Sequence, residues 1–388
     1  MKANIICTAV GAVLLLVLAV FSQSLMPLLL MVAFLLLVAG SLCVQRLGAA
    51  SLSASFEMEE LAEKNQSLKG QLIVYNRGRI PFPVVRAIVE TNNLLTGEKT
   101  VTPVPVGIGP RGAATSTLTF SSAYCGRLKV SVSKLKIYDF FGLVSLPVKV
   151  EGKKKALILP ELYCPDVVVA KSGVTEPECD SFSPYKAGND PSETFAIRDY
   201  EPGDSLRSVH WKLTGKFDRL VVRESSLPMN ESVLILFERM KKDDEAFAAP
   251  EVRNAMGQIL LSLSNQLAEM NLAHTIGWLR AENGTFIGHR VDSEESFQLV
   301  MAEVLSVSEI SGEDDTVEGF LKTNDHDSYS NIVYVTAHSS EHLSLLPLMA
   351  RKTMILCGKE ETDIDLVDGT VYTVTPDNYE TALYEILI

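Results

Sequence analysis

Between Lys2 and Arg46 the chain carries no formally charged side chain, and that feature decides what its opening segment can become. Two apolar runs occupy the window, residues 5–21 and 25–44, parted by Ser22, Gln23 and Ser24. The second is long enough to cross ~30 Å of hydrocarbon as a helix, and the first nearly so. A cleaved leader is the alternative for the first run. The Ser-Gln-Ser break is a poor match to a small-residue cleavage site, however, and a second apolar run begins at once. A tight hairpin of two membrane helices fits better. Lys2 and Arg46 flank it on the same side, so the bias of basic residues toward the cytoplasm places both ends there. The expected location is therefore the cell membrane, crossed twice, with the soluble segments cytoplasmic.

At 388 residues the chain exceeds one ordinary core, and two to three domains are expected. Its net charge of −13 is unevenly spread. Residues 1–224 carry 25 basic and 20 acidic side chains, whereas residues 225–388 carry 10 and 28. So acidic a second half would repel nucleic-acid phosphates, which argues against that class of partner. A solvated acidic face explains it more simply than a basic partner does. Six cysteines include no Cys-x-x-Cys pair, so neither a disulfide framework nor a zinc site is indicated.

Beyond the hairpin (1–46), residues 47–165 show period-two patterning. QLIVYN (71–76), VVRAIVE (84–90), STLTF (116–120) and LKVSVSKLKIYD (128–139) are separated by turn signals, among them GIGPRG at 107–112. About seven antiparallel strands at this spacing read as a β-sandwich of immunoglobulin-like type. Residues 166–224 form a linker and a charged joint. From 225 to 388, short apolar strands alternate with helical patterns: strands at 232–237, 274–279, 331–337, 352–357 and 370–375, helices at 251–272, 293–306, 342–350 and 378–387. That alternation implies a doubly wound α/β domain on a parallel sheet.

The joint, RDYEPGDSLRSVHWKLTGK (198–216), holds the densest chemistry. Pro202 and Gly203 suit a type II turn, and Asp204 is placed to cap a short helix. Leu206, Val209, His210 and Leu213 would form its apolar face, Arg207 and Trp211 would stack four residues apart, and Gly215 would stop it. RLVVRE (219–224) would then return as a strand into the α/β domain. Here the chain resembles the bacterial domain-of-unknown-function family fifty-eight, on Arg198, Tyr200, Pro202, Gly203, Asp204, Arg207, Trp211 and Lys212. A YDFFGL box (138–143) is similar to that family's Asp-Pro-Phe-Gly, with Phe140 where proline is usual. The resemblance spans essentially the whole chain. It implies a von Willebrand factor A-like fold for residues 225–388. It also implies partnership with a MoxR-type AAA+ ATPase and with a transglutaminase-like membrane protein. A-type domains carry an Asp-x-Ser-x-Ser metal site after the first strand. Here Glu238 holds the acid position, while Met240 and Lys242 replace the serines. A thioether and an ammonium cannot complete an oxygen shell, so metal binding is expected to be lost.

Other chemistry is weaker. Ser205 in PGDSL lacks the upstream strand and the later Asp-x-x-His of a hydrolase, and Thr214-Gly215-Lys216 lacks the glycine-rich lead of a phosphate loop. The Asn324–Asp327 stretch reads as an exposed acidic loop, and His210 as a hydrogen-bonded core residue. Arg198, Arg207, Lys212, Arg219 and Arg223 either gather an anion or pair internally with Asp199, Glu201, Asp204, Asp218 and Glu224. The sequence points to a non-enzymatic membrane-anchored scaffold without a cofactor. An enzyme with Asp204, Arg207 and His210 in its site is the alternative.

Overall fold

The computed structural model describes residues 2–22, 25–169, 182–200, 205, 208–217, 219–228, 233–239, 249–308, 315–323, 329–338, 341–346, 350–358 and 369–388. They fall into two compact units, Met1–Leu159 and Pro160–Ile388.

The first unit opens with two helices long and apolar enough to span a membrane, α1 (Lys2–Phe21) and α2 (Met26–Ala49). Pro27 sits in the first turn of α2, where its missing N–H costs no hydrogen bond. A β-sandwich follows. One sheet has the order β1 (Leu52–Met58), β3 (Leu68–Asn76), β6 (Ala113–Phe120). The other runs β2 (Leu61–Glu63), β8 (Ser145–Leu159), β7 (Gly126–Tyr138), β4 (Phe82–Asn93), β5 (Lys99–Ile108). Pairing is antiparallel except between β2 and β8. In β7 the inward residues Leu128, Val130, Val132, Leu135 and Ile137 join one core with Leu68, Leu72, Val85, Val89 and Ile158. The GIGPRG stretch, expected to be wholly turn, instead contributes its first two residues to the end of β5. Pro103 and Pro105 lie within that strand, which is compatible with its place at the sheet edge, where half its amides have no strand partner.

The second unit is built on a six-stranded sheet of order β14 (Phe286–Val291), β13 (His274–Leu279), β12 (Val233–Phe237), β15 (Asn331–Thr336), β16 (Arg351–Cys357), β17 (Gly369–Val374). All neighbours are parallel except β13 with β14. Every residue of β12 and β15 is buried, as a parallel sheet covered on both faces requires. Leu234, Leu236, Ile332, Tyr334 and Met354 pack with Val317 and Phe320 of α6 (Thr316–Leu321) and with Leu343 of a 3-10 turn, Glu341–Leu345. Residues of opposite parity in the strands face α4 (Pro250–Glu269), whose Val252 carbonyl lies 3.9 Å from the Cys357 sulfur. Helix α5 (Glu294–Val304) begins in a capping box, Ser293 with Ser296.

Four expectations need correction. The segment 378–387 is not one helix but a short α7 (Tyr379–Ala382) and a strand, β18 (Glu385–Leu387). β18 pairs in parallel with β9 (Asp166–Val168), so residues 160–168 belong with the α/β unit and the sandwich ends at Leu159 rather than 165. In the segment 342–350 the described residues form a 3-10 turn, Glu341–Leu345, and residues 347–349 lie outside them. Finally, part of the anticipated linker is extended: β10 (Phe182–Asp199) pairs antiparallel with β11 (Val221–Pro228) as a separate ribbon. β11 therefore does not enter the six-stranded sheet.

Candidate functional site

Two places in the second unit collect polar chemistry. The first is the joint. The ribbon β10–β11 carries a small crossing segment in which Val209 bridges Val222, and His210 N–H donates to the Val221 carbonyl at 2.8 Å. Ser208 N–H donates to the Ser205 carbonyl at 3.0 Å, and after the bridge α3 spans Trp211–Phe217; Asp204, expected to cap a helix here, lies outside the described residues. His210 stands just before it, its carbonyl accepting from Leu213 and Thr214 N–H at 3.0 and 2.9 Å. Gly215 lies inside the helix and does not stop it. The Thr214 hydroxyl accepts from Val221 N–H at 3.2 Å, tying helix to ribbon.

Leu213 and Phe217, one turn apart, line an open groove of about 490 Å³ with Ile197, Val221, Arg198 and Arg219. Arg219 reaches Asp199 at 2.9 Å, and its guanidinium lies 5.9 Å from the Phe217 ring centre. Both partners of that ion pair are mostly exposed, so it contributes little to stability. Arg198 donates to the Asp199 carbonyl at 3.0 Å, and Tyr200 N–H to the Leu220 carbonyl at 3.0 Å. Trp211, expected to stack under Arg207, leaves 65 % of its surface in solvent. Lys212 beside it is also exposed. Pro202, Gly203, Asp204 and Arg207 lie outside the described residues, as do Glu201 and Asp218.

The second place is the carboxyl end of β12, where the strand order reverses and open α/β sheets place ligands. Glu238 is 1 % exposed and its Oε2 accepts two hydrogen bonds, from Tyr334 Oη at 2.7 Å and from Thr316 N–H at 2.8 Å. Burial, reinforced by the neighbouring Glu238 charge, pushes the Tyr334 phenol well above its usual range, so it stays a donor. Arg239 points its guanidinium at the carbonyls of Leu279, at 2.6 Å, and Ser308. Burial lowers its pKa to about 10, opposed by Glu238. Nearby, Asp315 caps α6 by accepting from Glu318 N–H at 2.6 Å, and its other oxygen meets His342 Nδ1 at 3.0 Å. Asp315, Glu318 and His342 offer three ligand atoms within 4.8 Å of one another. Met240 and Lys242 fall outside the described residues.

Glu238 directly follows the apolar strand marked in the sequence, but its partners come from positions no local spacing marks. Thr316 and Tyr334 are far along the chain. Tyr334 alone left a trace, as a polar tip inside the apolar strand NIVYVT. The arrangement holds a carboxylate rigidly in the core. Among the described residues it places no hydroxyl or thiol nucleophile against a base in an open cleft.

No family model matches this chain, and no curated protein matches it. Among solved structures, it is similar to the CARDB domain of a Pyrococcus furiosus protein in complex with di-metal ions. That match has 15 % identity and a TM-score of 0.22, over 28 % of this chain and 87 % of that one. A cohesin module from a Clostridium perfringens family 33 glycoside hydrolase matches at 8 % identity and a TM-score of 0.22, covering 29 % and 98 %. A β-glucosidase from Listeria innocua matches at 13 % identity and a TM-score of 0.18, covering 28 % and 16 %.

Proposed function

We propose that this protein is a membrane-anchored scaffold, held by α1 and α2 with its soluble units in the cytoplasm, which presents the joint to a protein partner. The observation that carries the reading is Trp211, exposed on a short helix beside Lys212 and Lys216 and next to a groove mixing apolar and arginine side chains. Tryptophan and arginine are the residues that most often dominate the energy of protein interfaces. A MoxR-type AAA+ ATPase is the favoured partner and a transglutaminase-like membrane protein a second. Both rest on the resemblance of the joint to domain-of-unknown-function family fifty-eight. An A-type fold for the second unit is supported by its sheet order, with the first strand central and one antiparallel edge strand. Under that reading Glu238 occupies the place of the metal site's first acid, and its two donors replace the metal.

The test is recovery of partners by cross-linking from membranes, comparing the parent with Trp211→Ala. Removing so exposed a ring should change stability by no more than about 0.5 kcal/mol. Recovery of the ATPase should fall at least tenfold, the loss of about 1.4 kcal/mol or more of interface energy. Undiminished recovery, or a small-molecule turnover that vanishes in Arg207→Ala while the fold persists, would overturn the scaffold reading in favour of an enzyme.

A further inference from the structure

The YDFFGL turn between β7 and β8 has no part in the function proposed above, yet side chains of both apolar helices tie it down. Asp139 is buried and spends both oxygens on it: Oδ1 accepts from Val144 N–H at 2.8 Å and Oδ2 from Phe141 N–H at 3.1 Å. The ends of both apolar helices supply the rest. Ser41 Oγ accepts from Phe140 N–H at 3.2 Å and lies 3.4 Å from Asp139 Oδ2. Gln45 donates to the Ile137 and Val144 carbonyls at 2.7 and 3.3 Å, and Asn4 donates to the Phe141 carbonyl at 3.0 Å. Gly142, at φ +65°, brings its backbone so close to the Asn4 amide that a Cβ would meet it at 2.7 Å.

These bonds fix a depth. Arg46 is the first charge after the apolar run, and Ser41 lies five residues further into it, about 7 Å at 1.5 Å per residue. Phe140 is held at the level of Ser41, and the Phe141 ring sits 6.0 Å from that of Phe34, deeper still. Non-helical backbone is tolerated at membrane depth only where protein groups satisfy it, and here they take up the Phe140, Phe141, Gly142 and Val144 amides and the Phe141 and Val144 carbonyls. The side chains left over are apolar: Phe140 keeps 59 % of its surface exposed, and Val144 is exposed too. Further back on the same ribbon, exposed Lys134 stands directly opposite exposed Lys149, a like-charge pair that costs stability without an anion nearby.

We infer that the β7–β8 turn is a third membrane contact, with Phe140 seated among the lipid chains beside α1 and α2 and Lys134 and Lys149 on anionic headgroups. The inference rests on reading α1 and α2 as membrane spans. Its test uses the full chain in nanodiscs of phosphatidylcholine and phosphatidylglycerol. A diazirine analogue of phenylalanine is placed at position 140, at Leu36 on α2, or at Val101, which is 60 % exposed at the far end of the same sheet. Irradiation followed by mass spectrometry counts lipid adducts. Positions 36 and 140 should label at least tenfold above 101. Label at 36 with position 140 no higher than 101 overturns the inference and leaves the spans standing. Absence of label at 36 overturns the spans, and the inference with them. Lys134→Glu with Lys149→Glu should lower labelling at 140 severalfold, and unchanged labelling removes the lysines from the contact.

Discussion

Glu238 and Arg239 are neighbours, both almost wholly buried, and each meets the cost of burial differently. The carboxylate takes a phenol and a backbone amide, and the guanidinium takes two carbonyls. A buried charge that loses one partner retains its desolvation cost, so Tyr334→Phe should destabilise the second unit by about 1–3 kcal/mol in denaturant titrations. His274 makes a complementary case. Burial holds its pKa below the usual 6.5, with Nε2 at 2.7 Å from Ser264 Oγ and Nδ1 at 3.0 Å from the Leu272 carbonyl. Above the unfolded value both states are neutral and its contribution is complete. As pH falls below it, the unfolded chain takes up a proton that the folded one refuses, and stability declines by up to about 1.4 kcal/mol per pH unit. His274→Gln should flatten the stability profile as pH falls below about 6.5. At this scale Glu238 was legible, because it follows an apolar strand. Its partners were not, since tertiary contact alone brings residues 316 and 334 to it.

Elements were legible wherever one physical signal dominated. The charge-free window marked α1 and α2. Val252, Met256, Ile259, Leu260, Leu263, Leu267 and Met270 marked α4 by helical spacing; the first six are buried, whereas Met270, just past the end of the helix, is exposed. Elements were misread where two periodicities coincide. Tyr379, Leu383 and Ile386 recur as a helix face would, yet Ile386 is buried by pairing its strand with β9. The pairing of β9 with β18 also sets a boundary that can be tested. Gln258 donates to the Glu161 carbonyl, Ser262 accepts from Tyr163 N–H, and the Tyr163 and Tyr379 rings lie 5.7 Å apart. A fragment starting at residue 160 should therefore fold, whereas one starting at 170 should lose at least about 2 kcal/mol by forfeiting the burial of Val167 alone. Thermal melts of the two fragments decide it.

At the scale of the whole molecule, each unit carries its own core, and the first also carries the helices that would hold it at a bilayer. Anchoring concentrates copies in two dimensions, where sheet rims meet far more often than in free solution. One edge of the five-stranded sheet is β5, and its prolines leave two gaps in the row of amides a neighbouring copy would need to add itself there as another strand. Crowding on a surface thus does not become fusion of sheets along this edge: the prolines of β5 keep adjacent molecules apart there.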